Sequence, residues 1–411
     1  MEQGARLVGR DPLVKRSIAF GTQTIQIDDG VLDAYRVKLA QSASKPAVRL
    51  VYAAAHLVLK NSYGEVDQRF DQPIAPGEIF EAVDWDSTFA LRRRLDDLGF
   101  GIAEAMDTAQ RFLIGWENAS HLIEGCGALN LKHGFVAGAG VDHLERVNDE
   151  DQLVEGVVFQ ARAIQAAGGI PILLPLLWLC EQSYEEEGYV RVYGRIAESL
   201  DGPLFVHWLG EMFLPALAGY FPGRSFERIL AAHPQTLRGA KLSLLDAELE
   251  LRLRRELATR DQILLTGDDF NFAQLMTGGP ITGETTIGTR RVPTGDFSHG
   301  LLGIFDGIAE PASLALQFLA RGDERSYTQL MTPCEALSRH LFCAPTQHYK
   351  AGLAFLSWLN GLQSNPMLVG HEERARSKEH YMEAARLASL AGAIRDAGLA
   401  AERVDSYLRA N

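Results

Sequence analysis

The feature that most constrains the fold is an alternation of short apolar runs with amphipathic stretches, from about residue 82 to residue 312. The runs are FGIAEAM, FVAGAGV, IPILLPL, LFVHWLG, GAKLSLL, ILLTGDD and GLLGIF. Stretches between them, such as Asp151–Ala167, carry apolar residues at steps of three and four. This pattern predicts a parallel sheet covered by helices. With an eighth strand expected near Ile79–Val83, it predicts a (β/α)8 TIM barrel, an α/β fold, over residues 79–312.

The two flanking segments differ from this pattern. Residues 1–78 are expected to form an N-terminal extension, in which SIAFGTQTIQI and AVRLVYAAAHLVLKN are candidate strands of a β-hairpin. Residues 313–411 have helical periodicity, which predicts a C-terminal helical segment.

Composition excludes several classes of partner. The 411 residues carry 53 acidic against 40 basic side chains, a formal net charge of −13, which disfavours nucleic acid and anionic membranes. Four widely spaced cysteines, without a C-x-x-C pair, predict reduced core residues. Residues 1–13 lack a signal-peptide apolar region, and the most apolar run, Ile170–Cys180, is too short to span a bilayer. We therefore expect a cytoplasmic protein with no membrane or nucleic-acid partner.

Polar residues cluster where the predicted strands end, which is where barrel enzymes build their active sites. They are Asp107-Thr108, Asp142-His143, His207, Asp246, Asp268-Asp269 and Asp306. Any single one could instead cap the following helix. Their number favours a shared site.

Lys241 lies in the middle of the apolar run GAKLSLL. Burial lowers the pKa of a lysine, and the neutral amine can then attack a carbonyl carbon. Alternatively, the ammonium could reach solvent at the strand end or pair with Asp246. The run itself leaves both interpretations open.

Several segments, taken in order, resemble the dihydrodipicolinate synthase/N-acetylneuraminate lyase family of class I aldolases. They resemble even more a bacterial family of about this length described as dihydrodipicolinate synthase-like. The matching segments are Ala137–Gly140, Gly239–Lys241, Leu265–Asp269, Ser298–Pro311, Gly322-Asp323, Leu341-Phe342, Pro345 and Lys350. The resemblance implies that Lys241 corresponds to the lysine that forms the Schiff base. It also implies a dimer or tetramer that needs no cofactor.

Two departures from the family pattern bear on the substrate. The family's G-T-T-G-E motif, whose threonines hold a substrate carboxylate, falls on Met106–Gln110, so that Asp107 replaces one threonine and Thr108 keeps the other. The tyrosine that relays protons falls on His207. Because Asp107 would repel a carboxylate and accept hydroxyl hydrogen bonds, we expect a keto-sugar or another polyhydroxylated carbonyl compound. Asp107 could instead cap a helix, and His207 could be a core residue.

The expected reaction is lyase chemistry through a Schiff base, with C–C cleavage or β-elimination. Lys241 would be the nucleophile and His207 the proton shuttle. The expected substrate-binding residues are Asp107, Thr108, Asp142, Asp268, Asp269, His299 and Glu211.

Two other functions are compatible with the same residues. The first is a metal-dependent barrel lyase, isomerase or hydrolase, although no HxH or HExxH motif supports it. Its candidate ligands would be Glu104, Asp142, His207, Asp268 and His299. The second is a sugar-binding barrel that has lost catalysis, against which an intact Lys241 argues.

Overall fold

The computed structural model describes residues 15–21, 23–67, 72 and 74–409. Its strands are β1 (Lys15–Phe20), β2 (Gln23–Asp28), β3 (Val51–Ala54), β4 (Gly101–Glu104), β5 (Phe135–Ala139), β6 (Ile170–Leu173), β7 (Leu204–Leu209), β8 (Leu237–Ser243), β9 (Ile263–Thr266), β10 (Ile281–Ile287), β11 (Arg290–Gly295) and β12 (His299–Leu302). Its first α-helices are α1 (Asp33–Ala40), α2 (Pro76–Ala82), α3 (Trp85–Asp97), α4 (Arg111–Ala128), α5 (Glu150–Ala166), α6 (Leu177–Glu181), α7 (Glu186–Glu198), α8 (Ser225–Ala232), α9 (Ala247–Ala258) and α10 (Phe272–Thr277). They are followed by α11 (Ile304–Gly307), α12 (Ala309–Ala320), α13 (Glu324–Leu341), α14 (Lys350–Leu359), α15 (Lys378–Leu390) and α16 (Ala397–Arg409). Short 3-10 segments span Asn61–Glu65, Asp107–Ala109, Pro215–Leu217, Thr346–His348 and Val369–Ala375.

Eight of these strands form a closed parallel barrel in the order β3, β4, β5, β6, β7, β8, β9 and β12. The ring closes at β12, where Gly300 pairs with Val51 of β3 and with Thr266 of β9. Helices alternate with the strands along the chain, and α12 to α16 follow the last strand. The predicted (β/α)8 barrel with C-terminal helices is confirmed.

The prediction of a barrel strand near Ile79–Val83 is wrong. Pro76 occupies the first turn of α2, and Ile79 and Val83 are buried one helical turn apart, so this apolar segment has helical periodicity. The first barrel strand is β3, whose four residues are all buried. It lies within residues 1–78, the range expected to be an extension.

The barrel strands are buried on both faces, which explains their near-continuous apolar sequences. One cluster fills the barrel interior, and a larger one lies between the strands and the surrounding helices. The interior cluster includes Tyr52, Ala103, Val136, Ile172, Phe205, Leu265 and Leu301. Successive residues of a strand alternate between the two layers, as Tyr52 and Ala53 do.

The antiparallel hairpin formed by β10 and β11 closes the amino-terminal end of the barrel. Its residues Ile287 and Val292 belong to the interior cluster. Arg290 donates a hydrogen bond from Nη1 to the carbonyl oxygen of His133, just before β5. The opposite end, where the strands terminate, is therefore the end available for a site.

The N-terminal hairpin and the C-terminal helices form a second layer outside the barrel. β1 and β2 pair antiparallel over residues 15–28, so a hairpin forms within SIAFGTQTIQI and its neighbours. AVRLVYAAAHLVLKN, the expected second strand of the hairpin, contains the barrel strand β3 instead. The backbone N–H of Asp28 donates to Ser389 Oγ of α15 at 2.8 Å. α14 packs against α11 and α15, and it begins close to the carboxyl ends of the barrel strands.

Candidate active site

Lys241 lies on β8, the sixth strand of the barrel, directly opposite His207 on β7 and Leu265 on β9. Its neighbours Ala240 and Leu242 pack outward against the helices, so alternation along the strand directs Lys241 and Ser243 inward. Lys241 is 9% exposed. Lys241 thus lies inside an apolar strand, as expected from the sequence.

A glycine on the neighbouring strand end makes room for the Lys241 side chain. A Cβ atom added to Gly267 would lie 2.9 Å from Lys241 Cε and 2.3 Å from Ser243 Oγ. Distances this short would force one of these side chains to move. The glycine in Leu265–Asp269 therefore serves the packing of Lys241.

Two carboxylates, Asp269 and Asp107, act on the charge of Lys241. Burial lowers the pKa of Lys241, and the charges of Asp269 and Asp107 oppose that change. Burial likewise raises the pKa of Asp269, and Lys241 opposes it. Asp246 is exposed and accepts a hydrogen bond from the backbone N–H of Leu249, capping α9. The pairing of Lys241 with Asp246 is therefore not observed.

His207 is 2% exposed and lies beside Lys241 in the barrel interior. Its Nε2 is 3.2 Å from Ser243 Oγ, and its buried Nδ1 has no hydrogen-bond partner among the described residues. Burial and the charge of Lys241 hold the pKa of His207 well below its usual range. The ring is therefore a neutral imidazole with one unused nitrogen.

The C-terminal segment supplies two residues that the sequence pattern did not identify as site residues. Tyr349 and Lys350 stand at the start of α14, and both are buried. The Tyr349 hydroxyl is 2.6 Å from Thr108 Oγ1, and burial together with the charge of Asp107 raises the pKa of Tyr349 well above its ordinary value. The Tyr349 ring stacks on Phe342 with centroids 4.2 Å apart.

Lys350 forms ion pairs with two carboxylates. Its Nζ lies 3.3 Å from Asp107 Oδ1 and 3.4 Å from Glu372 Oε1. A third contact joins Nζ to the Gln347 carbonyl oxygen at 2.6 Å. Burial disfavours the charged form of Lys350, but Asp107 and Glu372 outweigh it and raise its pKa. The Asp107 side chain does not cap the 3-10 segment Asp107–Ala109, so the alternative interpretation of Asp107 as a helix cap is not supported.

Asp142 and Asp268 stand at the same end of the barrel but are engaged elsewhere. Asp142 forms a bidentate ion pair with the buried Arg111, with Oδ1 2.7 Å from Nη2, and this contact outweighs burial and lowers the pKa of Asp142. Asp268 accepts hydrogen bonds from the backbone N–H of Phe270 and from Asn271 Nδ2. Each carboxylate thus has a structural task.

Glu211 and His299 are not brought to Lys241. Glu211 is exposed in the loop after β7. His299 lies at the start of β12, where Nε2 is 3.0 Å from the Pro293 carbonyl oxygen and Nδ1 accepts from the backbone N–H of Leu50. His299 therefore fastens the β10–β11 hairpin at the opposite end of the barrel.

The candidate ligands of the metal-dependent alternative are dispersed. Glu104 is fully buried and forms an ion pair with Arg92, at 2.8 Å between Oε2 and Nε. Within the described ranges, no group of three or more His, Cys, Asp or Glu side chains is arranged to hold a metal ion.

In that same part of the chain, no helix is both long and apolar enough to span a membrane.

Residues 24–411 match a family described as "Protein of unknown function (DUF993)". The chain belongs to this family. No curated protein matches the sequence of this DUF993 member.

Solved structures resemble the DUF993 chain in fold. A dihydrodipicolinate synthase from Bacillus clausii is 15% identical with a TM-score of 0.57, over 84% of this chain and 97% of that one. A sialic acid aldolase from Ruminococcus gnavus is 14% identical with a TM-score of 0.57, over 83% and 96%. An N-acetylneuraminate lyase from Mycoplasma synoviae is 12% identical with a TM-score of 0.54, over 84% and 98%. The resemblance inferred from the sequence is confirmed at the level of the fold.

Proposed function

We propose that the protein is a lyase that forms a Schiff base between Lys241 and a keto-sugar or another polyhydroxylated carbonyl compound. The observation that carries this proposal is Lys241 itself, a lysine buried inside the carboxyl-terminal half of the sixth barrel strand. Burying an ammonium is costly, so a lysine in this position calls for a chemical reason. The aldolases of the same fold support the lyase class.

Nucleophilic attack requires Lys241 to lose a proton, and Asp269 is suited to receive it. Burial lowers the pKa of Lys241 and raises that of Asp269, so the two groups titrate close together. We infer a net transfer of one proton from Nζ to Asp269, which gives a neutral amine and a neutral acid without changing the charge of the site. The amine then attacks the substrate ketone, and loss of water gives an iminium.

The iminium acts as an electron sink for cleaving a carbon–carbon bond or for eliminating a β-substituent. Both outcomes need a base near the substrate. His207 lies beside Lys241, and its Nδ1 has no hydrogen-bond partner among the described residues, so this nitrogen can contact the substrate and take part in proton transfer. Tyr349, hydrogen-bonded to Thr108, is a second group that can carry a proton.

The polar groups around Lys241 favour a hydroxylated substrate. Asp107 is 26% exposed, and its carboxylate can accept hydrogen bonds from hydroxyl groups. Thr108 and Ser243 add hydroxyls of their own, and Asp142 stands further along the same rim. Asp269 is the proton acceptor in this scheme. Asp268 and His299 receive no role because their contacts lie elsewhere, and Glu211 receives none because it is exposed in the loop after β7.

Borohydride trapping tests the proposal. The protein is incubated with dihydroxyacetone, fructose and pyruvate in turn, reduced, and digested for peptide mass spectrometry. We expect a reduced adduct on Lys241 and its loss in Lys241→Met, while surface lysines such as Lys60 serve as internal controls for nonspecific reaction. Labelling of Lys241 no faster than Lys60 would contradict the Schiff-base mechanism. Binding of sugars that survives Lys241→Met without turnover would support the sugar-binding alternative.

The cytoplasmic location and the dimeric or tetrameric state stay predictions. Sedimentation of the purified protein in the ultracentrifuge would decide the second.

A further inference from the structure

We propose that Asp107 and Lys350 together form a charge filter that keeps carboxylate-bearing substrates away from Lys241. This inference rests on the proposed function and identifies the residues that set its substrate class. The filter joins the barrel to the C-terminal helices, because Asp107 follows β4 and Lys350 begins α14.

The Lys350 ammonium is buried and is engaged by three protein groups. An ammonium group has three N–H donors. In this structure its Nζ contacts the Asp107 carboxylate at 3.3 Å, Glu372 Oε1 at 3.4 Å and the Gln347 carbonyl oxygen at 2.6 Å. Asp107 and the Gln347 carbonyl accept hydrogen bonds from this ammonium, and Glu372 is its ion-pair partner. Lys350 is thus a buried cation that a substrate carboxylate cannot reach while Asp107 is in place.

The charges around Lys350 also oppose an anion. Two carboxylates, those of Asp107 and Glu372, contact one ammonium, so these three side chains together carry no net positive charge. Glu372 is held by Gln110 Nε2 at 2.8 Å and by His348 Nδ1 at 3.0 Å, which fixes it beside Lys350. Lys241 does not supply the missing charge, because in the proposed scheme it is neutral once its proton has passed to Asp269.

Asp107 is the exposed member of the pair, with 26% of its side chain accessible against 5% for Lys350. Its two oxygens offer about four lone-pair positions, of which Lys350 occupies only part. The remaining positions can accept hydrogen bonds from substrate hydroxyls. The same residue therefore attracts a neutral polyol and repels a 2-oxo acid.

This arrangement predicts how the selectivity can be changed. Asp107→Asn preserves the size of the side chain but removes its charge. The Lys350 ammonium then loses one of its two counter-charges and can attract a carboxylate at the mouth of the site. Glu372 still pairs with Lys350 in this variant, so the lysine is not left without a partner and the fold is retained.

The experiment compares the rate of adduct formation on Lys241 with two small probes, pyruvate and dihydroxyacetone, trapped by borohydride. The measured quantity is the pyruvate-to-dihydroxyacetone rate ratio. We expect Asp107→Asn to raise this ratio at least about tenfold. The Coulomb energy between one unit charge at a partly buried site and a nearby carboxylate is larger than the free energy that a tenfold ratio represents. The double variant Asp107→Asn/Lys350→Met should lose the gain, since the ammonium is what attracts the carboxylate.

Asp246→Asn is the matched control. It removes one negative charge from the same end of the barrel and keeps the α9 cap, because asparagine caps helices as well as aspartate. A ratio that rises equally in Asp246→Asn and Asp107→Asn, or a gain that survives Lys350→Met, would overturn the filter. So would equal labelling of the wild type by both probes. Failure of either probe to label Lys241 in any variant would instead refute the Schiff-base proposal on which the filter rests.

Discussion

The buried ion pair between Arg92 of α3 and Glu104 of β4 yields the sharpest stability prediction. Both side chains are 0% exposed, and two hydrogen bonds of 2.8 and 2.9 Å join the guanidinium to the carboxylate. Arg92 also donates to the carbonyl oxygens of Ala55 and His56, just beyond the first barrel strand. One side chain therefore ties the first two strands of the barrel to a helix.

Arg92→Leu should lower the free energy of unfolding by about 3–5 kcal/mol, because it leaves the buried Glu104 carboxylate without its counter-charge, although the backbone N–H of Ala105 still donates a hydrogen bond to it. That is a large share of the ~5–15 kcal/mol that stabilises a typical domain. The double variant Arg92→Leu/Glu104→Leu removes both charges. It should cost less than the sum of the single variants, with about 1–3 kcal/mol remaining for each backbone carbonyl left without a donor.

Urea unfolding, followed by circular dichroism and fluorescence, measures these differences, and coincident transitions would justify a two-state treatment. Arg94→Leu is the control on the same helix. Its ion pair with Glu310 is partly exposed, at 20% and 23%, so its loss should cost about 1 kcal/mol or less. Strictly additive losses in the Arg92/Glu104 double variant, or a cost for Arg92→Leu no larger than that for Arg94→Leu, would refute the reasoning.

Two further predictions concern a tyrosine of the site and a histidine at the other end of the barrel. Tyr349→Phe should slow turnover by ~10²–10⁴-fold if the phenol transfers a proton. The control Tyr193→Phe breaks another buried 2.6 Å hydroxyl–hydroxyl contact and should not slow turnover. Equal effects of the two substitutions on turnover would argue for a structural role of Tyr349. Burial and the charge of Arg49 lower the pKa of His299 to about 3, so the folded protein binds fewer protons there than the unfolded chain. The stability due to this neutral ring is complete above pH ~6.5 and falls towards pH 3, by about 2 kcal/mol at pH 5. His299→Gln should weaken the decline in urea midpoint between pH 7 and pH 5, and an unchanged decline would contradict this account.

The barrel could be predicted because its strands are buried on both faces, which leaves a near-continuous apolar signature. β3 could not be recognised as the first barrel strand because its four residues run directly into another apolar segment. The helix α2 resembles a strand in sequence because Ile79, Phe80, Ala82 and Val83 are apolar, although Ile79 is the one buried residue within the helix. Lys241 could be found because a charged residue stands out in an apolar strand.

The rest of the site depends on contacts that local sequence does not encode. Tyr349 and Lys350 meet Thr108 and Asp107 across 241 and 243 residues. The tail of the chain matches the family pattern, but that pattern carries no information about which side chains point into the barrel. Likewise, nothing near Asp142 in sequence indicates that Arg111 neutralises it.

The long separation between Asp107 and Lys350 has a consequence for synthesis in the cell. At about 5–20 residues per second, the ribosome needs ~12–50 s to make the segment that divides them. Lys241 is made part-way through that interval, so for its last ~5–22 s the emerging chain contains Asp107 and Lys241 but still lacks Lys350. The lysine that we propose as the nucleophile is thus made before Lys350, which completes the proposed charge filter, and the proposed site is expected to be complete only after α14 has been synthesised.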